Sequence, residues 1–406
     1  MINVVGMGYI GLPTALMLAA HGNDVVGSDN NESLIQKLQD GQVPFEEEGM
    51  QELYDEAVKK KIRFSVRKEE AEFYIIAVPT PYNELSKKVD ASYVEQAVRD
   101  VVKTAPHGAV LVIESTISPK TIDTHVRPII REEQLNTGKQ IHLAHAPERI
   151  IPGNMIFELQ NNSRTIGADD AVIAEKVKEI YQTFCKSEIV LTDIRTAEMT
   201  KVVENTYRDI NIAYANELVK ICRAGGLDVY EIIRIANKHP RVNILSPGPG
   251  VGGHCISVDP WFLVGDYPGL ANIILAARKI NDSMPEYVLE RISEIMKEND
   301  LKDVSQVGFY GLTYKEDVDD VRESPTLQLL DCMKRHLASG VKVYDPFVKK
   351  DIVENQVHDL ETFLRECKLI VIMVAHTQIK DNMAKLEGKI IFDTKNICPL
   401  EGTYKL

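Results

Sequence analysis

The chain begins with Met1-Ile2-Asn3-Val4-Val5-Gly6-Met7-Gly8-Tyr9-Ile10-Gly11, and this stretch is the strongest indication of its architecture. Its apolar start predicts a buried strand, and a helix is predicted to open at its end. Glycines at Gly6, Gly8 and Gly11 permit a tight turn and let backbone N–H groups approach a pyrophosphate at the helix N-terminus. We therefore predict a dinucleotide-binding βα unit.

An acidic residue identifies the dinucleotide. Asp29 ends the second predicted strand, eighteen residues after Gly11. A carboxylate at this place accepts hydrogen bonds from the adenosine ribose and repels a 2′-phosphate. NAD is therefore favoured over NADP.

Two further strand ends carry hydroxyl groups. Thr80 lies in Val78-Pro79-Thr80-Pro81, and Thr116 lies in Glu114-Ser115-Thr116. Because ligands bind at the carboxyl edge of open α/β sheets, both threonines are candidate cofactor contacts. Ser115 is equally well explained as a turn or helix-cap residue and is left out of the site.

Short β-rich runs alternate with amphipathic helical stretches in both halves of the chain. The N-terminal predicted strands are Ile2–Gly6, Asp24–Ser28, Phe73–Val78, Ala109–Glu114 and Ile141–His145. A second βαβ pattern comprises strand Val304–Tyr310, helix Thr326–Leu337 and strands Val341–Tyr344, Leu369–Val374 and Ile390–Phe392. This rhythm predicts an α/β protein with two Rossmann-like, doubly wound domains.

A helical middle separates these two patterns. Helical spacing from Thr196 to Arg223 without Gly or Pro predicts one helix long enough to join two domains. Helices follow at Val229–Lys238 and, around Pro285, at Leu270–Asn299, with a Pro/Gly-rich loop at Ser246–Cys255. The predicted domains are residues 1–194, 195–299 and 300–406.

The long helix carries three polar residues on one face. Lys201, Asn205 and Arg208 are spaced i, i+4 and i+7. A lysine beside a reacting alcohol can stabilise oxyanion charge or move protons, and an amide can orient the hydroxyl group. A solvated helix face explains such residues more often, so the interpretation depends on the next loop of the chain.

That loop is Pro247-Gly248-Pro249-Gly250-Val251-Gly252-Gly253-His254-Cys255-Ile256-Ser257-Val258-Asp259-Pro260. Its small and rigid residues allow a close approach to a ligand. Cys255 can attack an aldehyde to form a thiohemiacetal, which loses hydride to give a thioester that water cleaves. Asp259 can orient or activate that water. The remaining cysteines are interpreted as inert and buried: Cys185, Cys222, Cys332, Cys367 and Cys398.

Composition restricts the partners and the location. The 406 residues carry a net charge of −13, which matches nucleic acid and anionic lipid poorly. The six cysteines lack metal-ligand spacing, so no metal site or disulfide framework is expected. No segment reaches the roughly 18 to 20 apolar residues that cross a bilayer, and no signal-peptide pattern precedes the first strand. We expect a cytoplasmic protein.

Together these segments closely resemble the nucleotide-sugar 6-dehydrogenase family, the UDP-glucose/GDP-mannose dehydrogenases, over essentially the whole chain. The motifs that carry the resemblance are Gly6–Gly11, Val78–Pro81, Glu114–Thr116, Ala146-Pro147-Glu148-Arg149, Thr196-Ala197-Glu198 with Lys201 and Asn205, the Cys255 loop, and Gly311-Leu312-Thr313-Tyr314-Lys315 leading to Arg322-Glu323-Ser324-Pro325.

Within the family the chain looks like the UDP-N-acetylmannosamine dehydrogenases of bacterial and archaeal surface-polysaccharide pathways. The segments concerned are Asn205-Thr206-Tyr207-Arg208-Asp209, His239-Pro240-Arg241-Val242-Asn243, and Gly252-Gly253-His254-Cys255 with Asp259-Pro260-Trp261. UDP-glucose dehydrogenases usually have Ser before the cysteine and Pro-Lys before the aspartate. This chain has His254 and Ser257-Val258, which disfavours UDP-glucose, whereas UDP-GlcNAc and UDP-GalNAc stay open as substrates.

The resemblance implies a role for each matching residue. Cys255 becomes the nucleophile, Lys201 the proton-handling residue, and Asn205, Asp259 and Glu148 supports for hydroxyl or water. Implied NAD contacts, besides the glycines, are Tyr9, Ile10, Asp29, Thr80, Thr116 and Arg322. Implied UDP-sugar contacts are Arg149, Ile150, Lys201, Asn205, Arg208, His239, Arg241, Gly252, Tyr314, Lys315 and Lys395. It also implies a homodimer through the central helices, in which Arg241 can come from the partner subunit.

The predicted reaction is the four-electron oxidation of UDP-N-acetyl-D-mannosamine to the uronate with two NAD. β-Hydroxyacid dehydrogenases also place a lysine and an asparagine four apart on a helix after a dinucleotide fold, but they make one oxidation and need no cysteine. The Cys255 loop and the second nucleotide fold argue against that class. The joint presence of Lys201, Asn205, Cys255 and Asp259 argues against a non-catalytic NAD or UDP-sugar sensor.

Overall fold

The computed structural model describes residues 1–83, 85–253, 255–336 and 338–406. Contacts between α-carbons divide the chain into two compact units, Met1–Glu204 and Asn205–Leu406. The predicted boundaries at residues 194 and 299 divide the chain into three instead, and they stay a prediction.

The first unit is built on one sheet. Its described strands are β1 (Ile2–Val5), β2 (Val25–Ser28), β3 (Arg63–Ser65), β4 (Phe73–Ile76), β5 (Val110–Ile113), β6 (His142–His145), β7 (Arg164–Ala168) and β8 (Ile189–Thr192). They lie in the order β3-β2-β1-β4-β5-β6-β7-β8. Every pairing is parallel except that of β6 with β7. The sheet is doubly wound because the chain leaves β1 first to one side and then to the other.

Helices cover this sheet on both faces. They are α1 (Gly11–Ala20), α2 (Glu32–Gln39), α3 (Met50–Lys59), α4 (Ser92–Thr104), α5 (Arg127–Thr137), α6 (Met155–Asn161) and α7 (Ala171–Gln182). Because neighbouring strand residues point to opposite faces, Val4 packs into one core and Val5 into another. Buried strands read as continuous apolar runs, which is why the sequence located β1, β2, β4, β5 and β6. It missed β3, β7 and β8, which are short or carry polar residues.

Helix α8 (Ile194–Ala224) is 31 residues long and runs from the first unit into the second. It confirms the single long helix predicted from Thr196 to Arg223. The next helices along the chain are α9 (Val229–Ala236), α10 (Asp259–Asp266), α11 (Asn272–Asp282) and α12 (Met284–Glu298).

The second unit contains a smaller sheet with helices α13 (Pro325–Arg335), α14 (Leu360–Glu366) and α15 (Thr377–Asp381). Its described strands are β9 (Val307–Tyr310), β10 (Lys342–Tyr344), β11 (Gln356–Val357), β12 (Leu369–Ile372), β13 (Ile390–Asp393) and β14 (Tyr404–Lys405). They lie parallel in the order β11-β10-β9-β12-β13-β14. The predicted fold of two Rossmann-like sheets and a long helix is therefore confirmed.

Several predicted elements differ in detail. The predicted strand Val304–Tyr310 begins with a 3₁₀ turn at Val304–Gln306, because Asp303 caps the backbone N–H of Ser305. The predicted helix Leu270–Asn299 is two helices that meet at Ser283, where Pro285 occupies the first turn of α12. The predicted helix end at Leu337 lies outside the described residues. Among the described residues, no helix combines the length and the apolar character needed to cross a membrane.

A buried polar network joins α8 to α11 in the second unit. Arg278 Nη1 binds a carboxylate oxygen of Asp209 at 2.6 Å, and Asn281 Nδ2 donates to the same oxygen at 2.8 Å. Asn216 donates to Asn281 at 2.9 Å and accepts from the backbone N–H of Gly248, also at 2.9 Å. The start of the Pro/Gly-rich loop is thereby fixed to two packed helices.

Replacing Arg278 by Met should lower the free energy of unfolding by about 3–5 kcal/mol, because it leaves the Asp209 carboxylate buried without its counter-charge. Urea denaturation measures this change. Arg234→Met is the matched control, since Arg234 and Glu231 form an exposed pair and its loss should leave the free energy of unfolding nearly unchanged. Equal losses in the two variants would contradict the role assigned to the network.

Candidate active site

The glycine-rich turn between β1 and α1 has the shape that a pyrophosphate site needs. Gly6 has φ +97°, and a Cβ there would overlap with the carbonyl oxygen of Ala77. A Cβ at Gly11 would overlap with the carbonyl oxygen of Gly6, so the turn and the helix are in backbone contact. Gly8 is exposed, and a Cβ there would meet no described atom within 4 Å. Among the described residues, the start of α1 carries no acidic residue and no capping side chain. No negative side chain there opposes the binding of an anion at the helix N-terminus.

Asp29 lies directly after β2, beside this turn. Its carboxylate accepts the backbone N–H of Met7 at 2.8 Å and that of Asn31 at 2.9 Å, and the residue is half-buried. Nearby in the sequence, Tyr9 stacks on Phe45 with ring centroids 4.4 Å apart. The residues present therefore fit NAD, with Asp29 placed for the adenosine ribose.

The two threonines at the neighbouring strand ends contact each other. Thr80 Oγ1 donates to the carbonyl oxygen of Thr116 at 2.6 Å, which ties the end of β4 to the end of β5. Ser115 Oγ donates to the carbonyl oxygen of Val78 at 2.8 Å.

Glu148 belongs to a buried ion network that the sequence did not reveal. Its carboxylate accepts the backbone N–H of Arg149 at 2.6 Å and pairs with Nη2 of Arg164. Arg164 Nη1 also donates to Glu114 at 3.2 Å, and the phenol of Tyr181 donates to the same Glu114 oxygen at 3.0 Å. One arginine therefore serves two carboxylates in the interior of the first unit. A lone charge within the apolar strand Arg164–Ala168 was the available signal.

The predicted substrate residues of the first unit lie beside this network in the sequence. Arg149 donates to Thr165 Oγ1 at 2.9 Å and pairs with Glu204 at 2.7 Å, while Ile150 is buried. Lys201 is only 6% exposed, so it does not belong to a solvated helix face.

Asn205 and Asp259 lie together in the second unit. Asn205 Nδ2 donates to Asp259 Oδ2 at 2.6 Å, and both residues are buried. Asp259 is the first residue of α10, and its backbone N–H binds the carbonyl oxygen of Cys255 at 2.9 Å. Cys255 itself is half-buried, whereas the other five cysteines are buried. Cys255 thus lies one turn of backbone before an oriented carboxylate.

The glycines before Cys255 pack against Tyr314. A Cβ at Gly252 would lie 2.6 Å from Tyr314 Cβ, and one at Gly253, where φ is +83°, would lie 2.8 Å from the Tyr314 ring. The backbone N–H of Gly253 donates to the carbonyl oxygen of Arg322 at 2.9 Å. Only glycine allows this approach, because any side chain would displace the tyrosine.

The remaining predicted residues of the second unit differ in exposure. Tyr314, Lys315 and Arg208 are half-buried, whereas His239, Arg241 and Lys395 are exposed. Arg322, predicted to contact NAD, belongs to this unit, and its guanidinium binds Asp320 with Nη2–Oδ2 at 2.6 Å. His254, on which part of the substrate prediction rests, lies outside the described residues.

Comparison with known proteins identifies the family of this chain. Residues 1–185 match the NAD binding domain of the UDP-glucose/GDP-mannose dehydrogenase family, 195–283 its central domain and 308–399 its UDP binding domain. The chain belongs to the UDP-glucose/GDP-mannose dehydrogenase family. It is a NAD-dependent nucleotide-sugar dehydrogenase that acts on a UDP-sugar, so the predicted family and cofactor are confirmed.

Three relatives illustrate the similarity of this dehydrogenase to its family. It is 43% identical to UDP-N-acetyl-D-mannosamine dehydrogenase of Methanocaldococcus jannaschii over 98% of this chain and 92% of that protein. It is 38% identical to NDP-N-acetyl-D-galactosaminuronic acid dehydrogenase of Ralstonia nicotianae over 98% of this chain and 96% of that one. The structure of UDP-N-acetyl-mannosamine dehydrogenase Cap5O from Staphylococcus aureus matches with a TM-score of 0.88 and 42% identity, covering 100% and 97% of the two chains.

The Glu114 network gives the dehydrogenase a pH-dependent stability. Burial raises the pKa of Glu114 from 4.5 to about 7, against the opposing charge of Arg164 and with a further contribution from Glu148. The folded protein therefore holds this proton more tightly than the unfolded chain, and stability falls as pH rises from 4.5 towards 7. Glu114→Gln removes that component.

The difference in melting temperature, Glu114→Gln minus wild type, should accordingly be more positive at pH 8 than at pH 5. Scanning calorimetry at the two pH values measures it. The control is Glu132→Gln, because the Glu132 side chain is exposed. Parallel pH profiles for the wild type and Glu114→Gln would refute this assignment.

Proposed function

We propose that this enzyme oxidises C6 of UDP-N-acetyl-D-mannosamine to the carboxylate with two NAD, for surface-polysaccharide biosynthesis. The observation that carries the proposal is the loop in which half-buried Cys255 lies one turn before Asp259, a buried carboxylate that accepts a hydrogen bond from Asn205 of α8. A single alcohol oxidation needs no thiol at such a place. Bound NAD supplies the hydride acceptor.

Lys201 handles the proton of the first oxidation. The C6 alcohol loses a hydride to become an aldehyde, and its proton passes to the side-chain amine of Lys201, which is buried. The Asn205 amide donates one hydrogen bond to Asp259, and this bond fixes the orientation in which the amide can contact the substrate hydroxyl group.

Cys255 retains the aldehyde for the second oxidation. Its thiolate adds to the carbonyl carbon to form a thiohemiacetal, which loses a second hydride and becomes a thioester. Water then attacks the thioester carbonyl, releasing the carboxylate and restoring the thiol. Asp259 and Glu148 are the carboxylates proposed to orient this water, because each is fixed by hydrogen bonds before substrate arrives.

The names of the relatives support the choice of sugar. Proteins 43% and 42% identical to this chain are named for UDP-N-acetylmannosamine. A protein 38% identical is named for an N-acetylgalactosaminuronic acid, so the other UDP-N-acetylhexosamines are the alternatives to test.

The decisive measurement is the number of NADH formed per UDP-N-acetylmannosamine consumed, with UDP-GlcNAc, UDP-GalNAc and UDP-glucose run in parallel. We expect two NADH per sugar and the highest kcat/KM for the manno epimer. One NADH per sugar would exclude the thioester route. Two with another preferred sugar would keep the chemistry and overturn the substrate.

Replacing Cys255 by Ser should lower carboxylate formation by on the order of 10³-fold or more, because the alkoxide is a poor substitute for the thiolate and no thioester forms. Product analysis by mass spectrometry measures the loss. Cys332→Ser, at a buried cysteine of the same unit, is the matched control and should keep wild-type turnover. Rapid carboxylate production by Cys255→Ala would rule out the nucleophile.

We further propose that α8 mediates a homodimer. Tyr207, Tyr214 and Ile221 recur at seven-residue spacing and are 60%, 51% and 58% exposed. Large apolar side chains repeated along one helical stripe are typical of a surface that another helix covers.

Tyr214→Asp should therefore convert the protein from a dimer to a monomer of 45.6 kDa. Sedimentation velocity over a range of concentrations measures the mass. Leu135→Asp is the control, because Leu135 is 87% exposed on another helix. A wild-type protein that sediments as a monomer would disprove the proposal.

A further inference from the structure

The second sheet repeats the arrangement that forms the NAD turn in the first. Gly311 follows β9 with φ +104°, as Gly6 follows β1 with φ +97°. Asp345 follows the adjacent strand β10, as Asp29 follows β2. In both sheets the carboxylate accepts the backbone N–H of the residue after the glycine, at 2.8 Å for Met7 and 2.6 Å for Leu312.

The second carboxylate is engaged far more completely than the first. Asp345 is buried, and its oxygens accept backbone N–H groups from four residues: Leu312, Thr313, Phe347 and Val348. Burial opposes ionisation, yet hydrogen bonds from His376 and the backbone hold the pKa of Asp345 below its ordinary value. This aspartate therefore binds its own loop.

His376 completes the arrangement from the start of α15. Its Nδ1 accepts the backbone N–H of Asp317 at 2.9 Å, which leaves Nε2 as the ring nitrogen that donates. Nε2 lies 3.1 Å from Asp345 Oδ2 and 3.3 Å from Thr313 Oγ1, and it donates to these oxygens. The ring is fully buried and joins both ends of the segment from Thr313 to Asp317.

This segment carries Tyr314 and Lys315. Thr313 Oγ1 donates to the carbonyl oxygen of Lys315 at 2.8 Å, and the backbone N–H of Tyr314 donates to the backbone carbonyl oxygen of Asp320 at 3.1 Å. The Tyr314 ring in turn packs against Gly253, which lies two residues before Cys255. A continuous series of contacts thus runs from His376 to the loop that contains the nucleophile.

We propose that His376 is a positioning residue for UDP-sugar binding, which it serves by holding residues 313–317 in the conformation that presents Tyr314 and Lys315. The inference rests on the proposed function, in which these two residues contact the UDP-sugar. His376 does not touch substrate and takes no part in the proton or hydride transfers.

Substitution can divide the two contacts of the ring. In His376→Asn the amide oxygen can replace Nδ1 towards Asp317, and in His376→Gln the amide N–H can replace Nε2 towards Asp345. His376→Leu removes both. We expect His376→Leu to weaken the binding of UDP, measured by calorimetry on the full-length protein, by about tenfold, with smaller losses in the two amide variants.

The steady-state parameters should separate in the same variants. KM for the UDP-sugar should rise with the Kd for UDP, while KM for NAD and kcat stay near the wild-type values. Tyr344→Phe is the matched control, because the Tyr344 phenol bonds to Gln378 at 3.0 Å and makes no bond to residues 313–317 among the described contacts. It should leave UDP affinity unchanged.

The possible outcomes distinguish the two levels of the proposal. Wild-type protein that does not bind UDP would overturn the proposed substrate site itself. UDP affinity unchanged in His376→Leu, or lowered equally in Tyr344→Phe, would overturn the role of His376 and leave the proposed function standing. A graded loss through Asn, Gln and Leu with kcat preserved would support it.

Discussion

The central strands of both sheets are buried on both faces, and this burial leaves the carboxyl edge of each sheet as the place where polar groups can meet a ligand. In the first sheet Val4 and Val5 enter separate cores, and in the second Phe309 and Tyr310 do the same. Every residue of β1, β5, β9 and β12 is buried, whereas Arg63 and Val190 on the edge strands β3 and β8 are exposed. Within each sheet, the residues that can meet a ligand are therefore those that come directly after a strand, beginning with the turn after Val5.

Charged groups that lie deeper are paired, and each pairing joins separate elements. Arg164 on β7 connects Glu114 after β5 with Glu148 after β6. Asp209 on α8 forms an ion pair with Arg278 on α11. Because a buried ion without its partner is costly, such groups fix the relative position of the elements that carry them. Glu148 is held in this way before any substrate binds.

The two Rossmann-like sheets use one backbone arrangement for different purposes. After β2 the half-buried Asp29 keeps acceptor capacity at the edge of the sheet, as a ribose requires. After β10 the buried Asp345 is saturated by backbone N–H groups and His376. The same position thus leaves a half-buried carboxylate at the sheet edge in one unit and shapes a loop in the other, where the His376 ring contacts the second carboxylate.

The sequence alone was enough for the features that depend on neighbours along the chain. The strand rhythm, the glycine turn, Asp29 and the long helix are local patterns, and they sufficed to predict the fold and the cofactor. The family followed from the resemblance of motifs such as the Cys255 loop to those of known proteins. The pairing of β7 antiparallel to β6 and the 3₁₀ turn at Val304–Gln306 could not be predicted from the local patterns.

Only the tertiary structure showed which polar residues are buried and which of them contact each other. Periodicity placed Lys201 and Asn205 on one helix face, but it did not say that both are buried. Glu114 lies 50 residues from Arg164, and Asp345 lies 31 residues from His376. No local pattern connects such residues, because their contact depends on which strands become neighbours when the hydrophobic cores close.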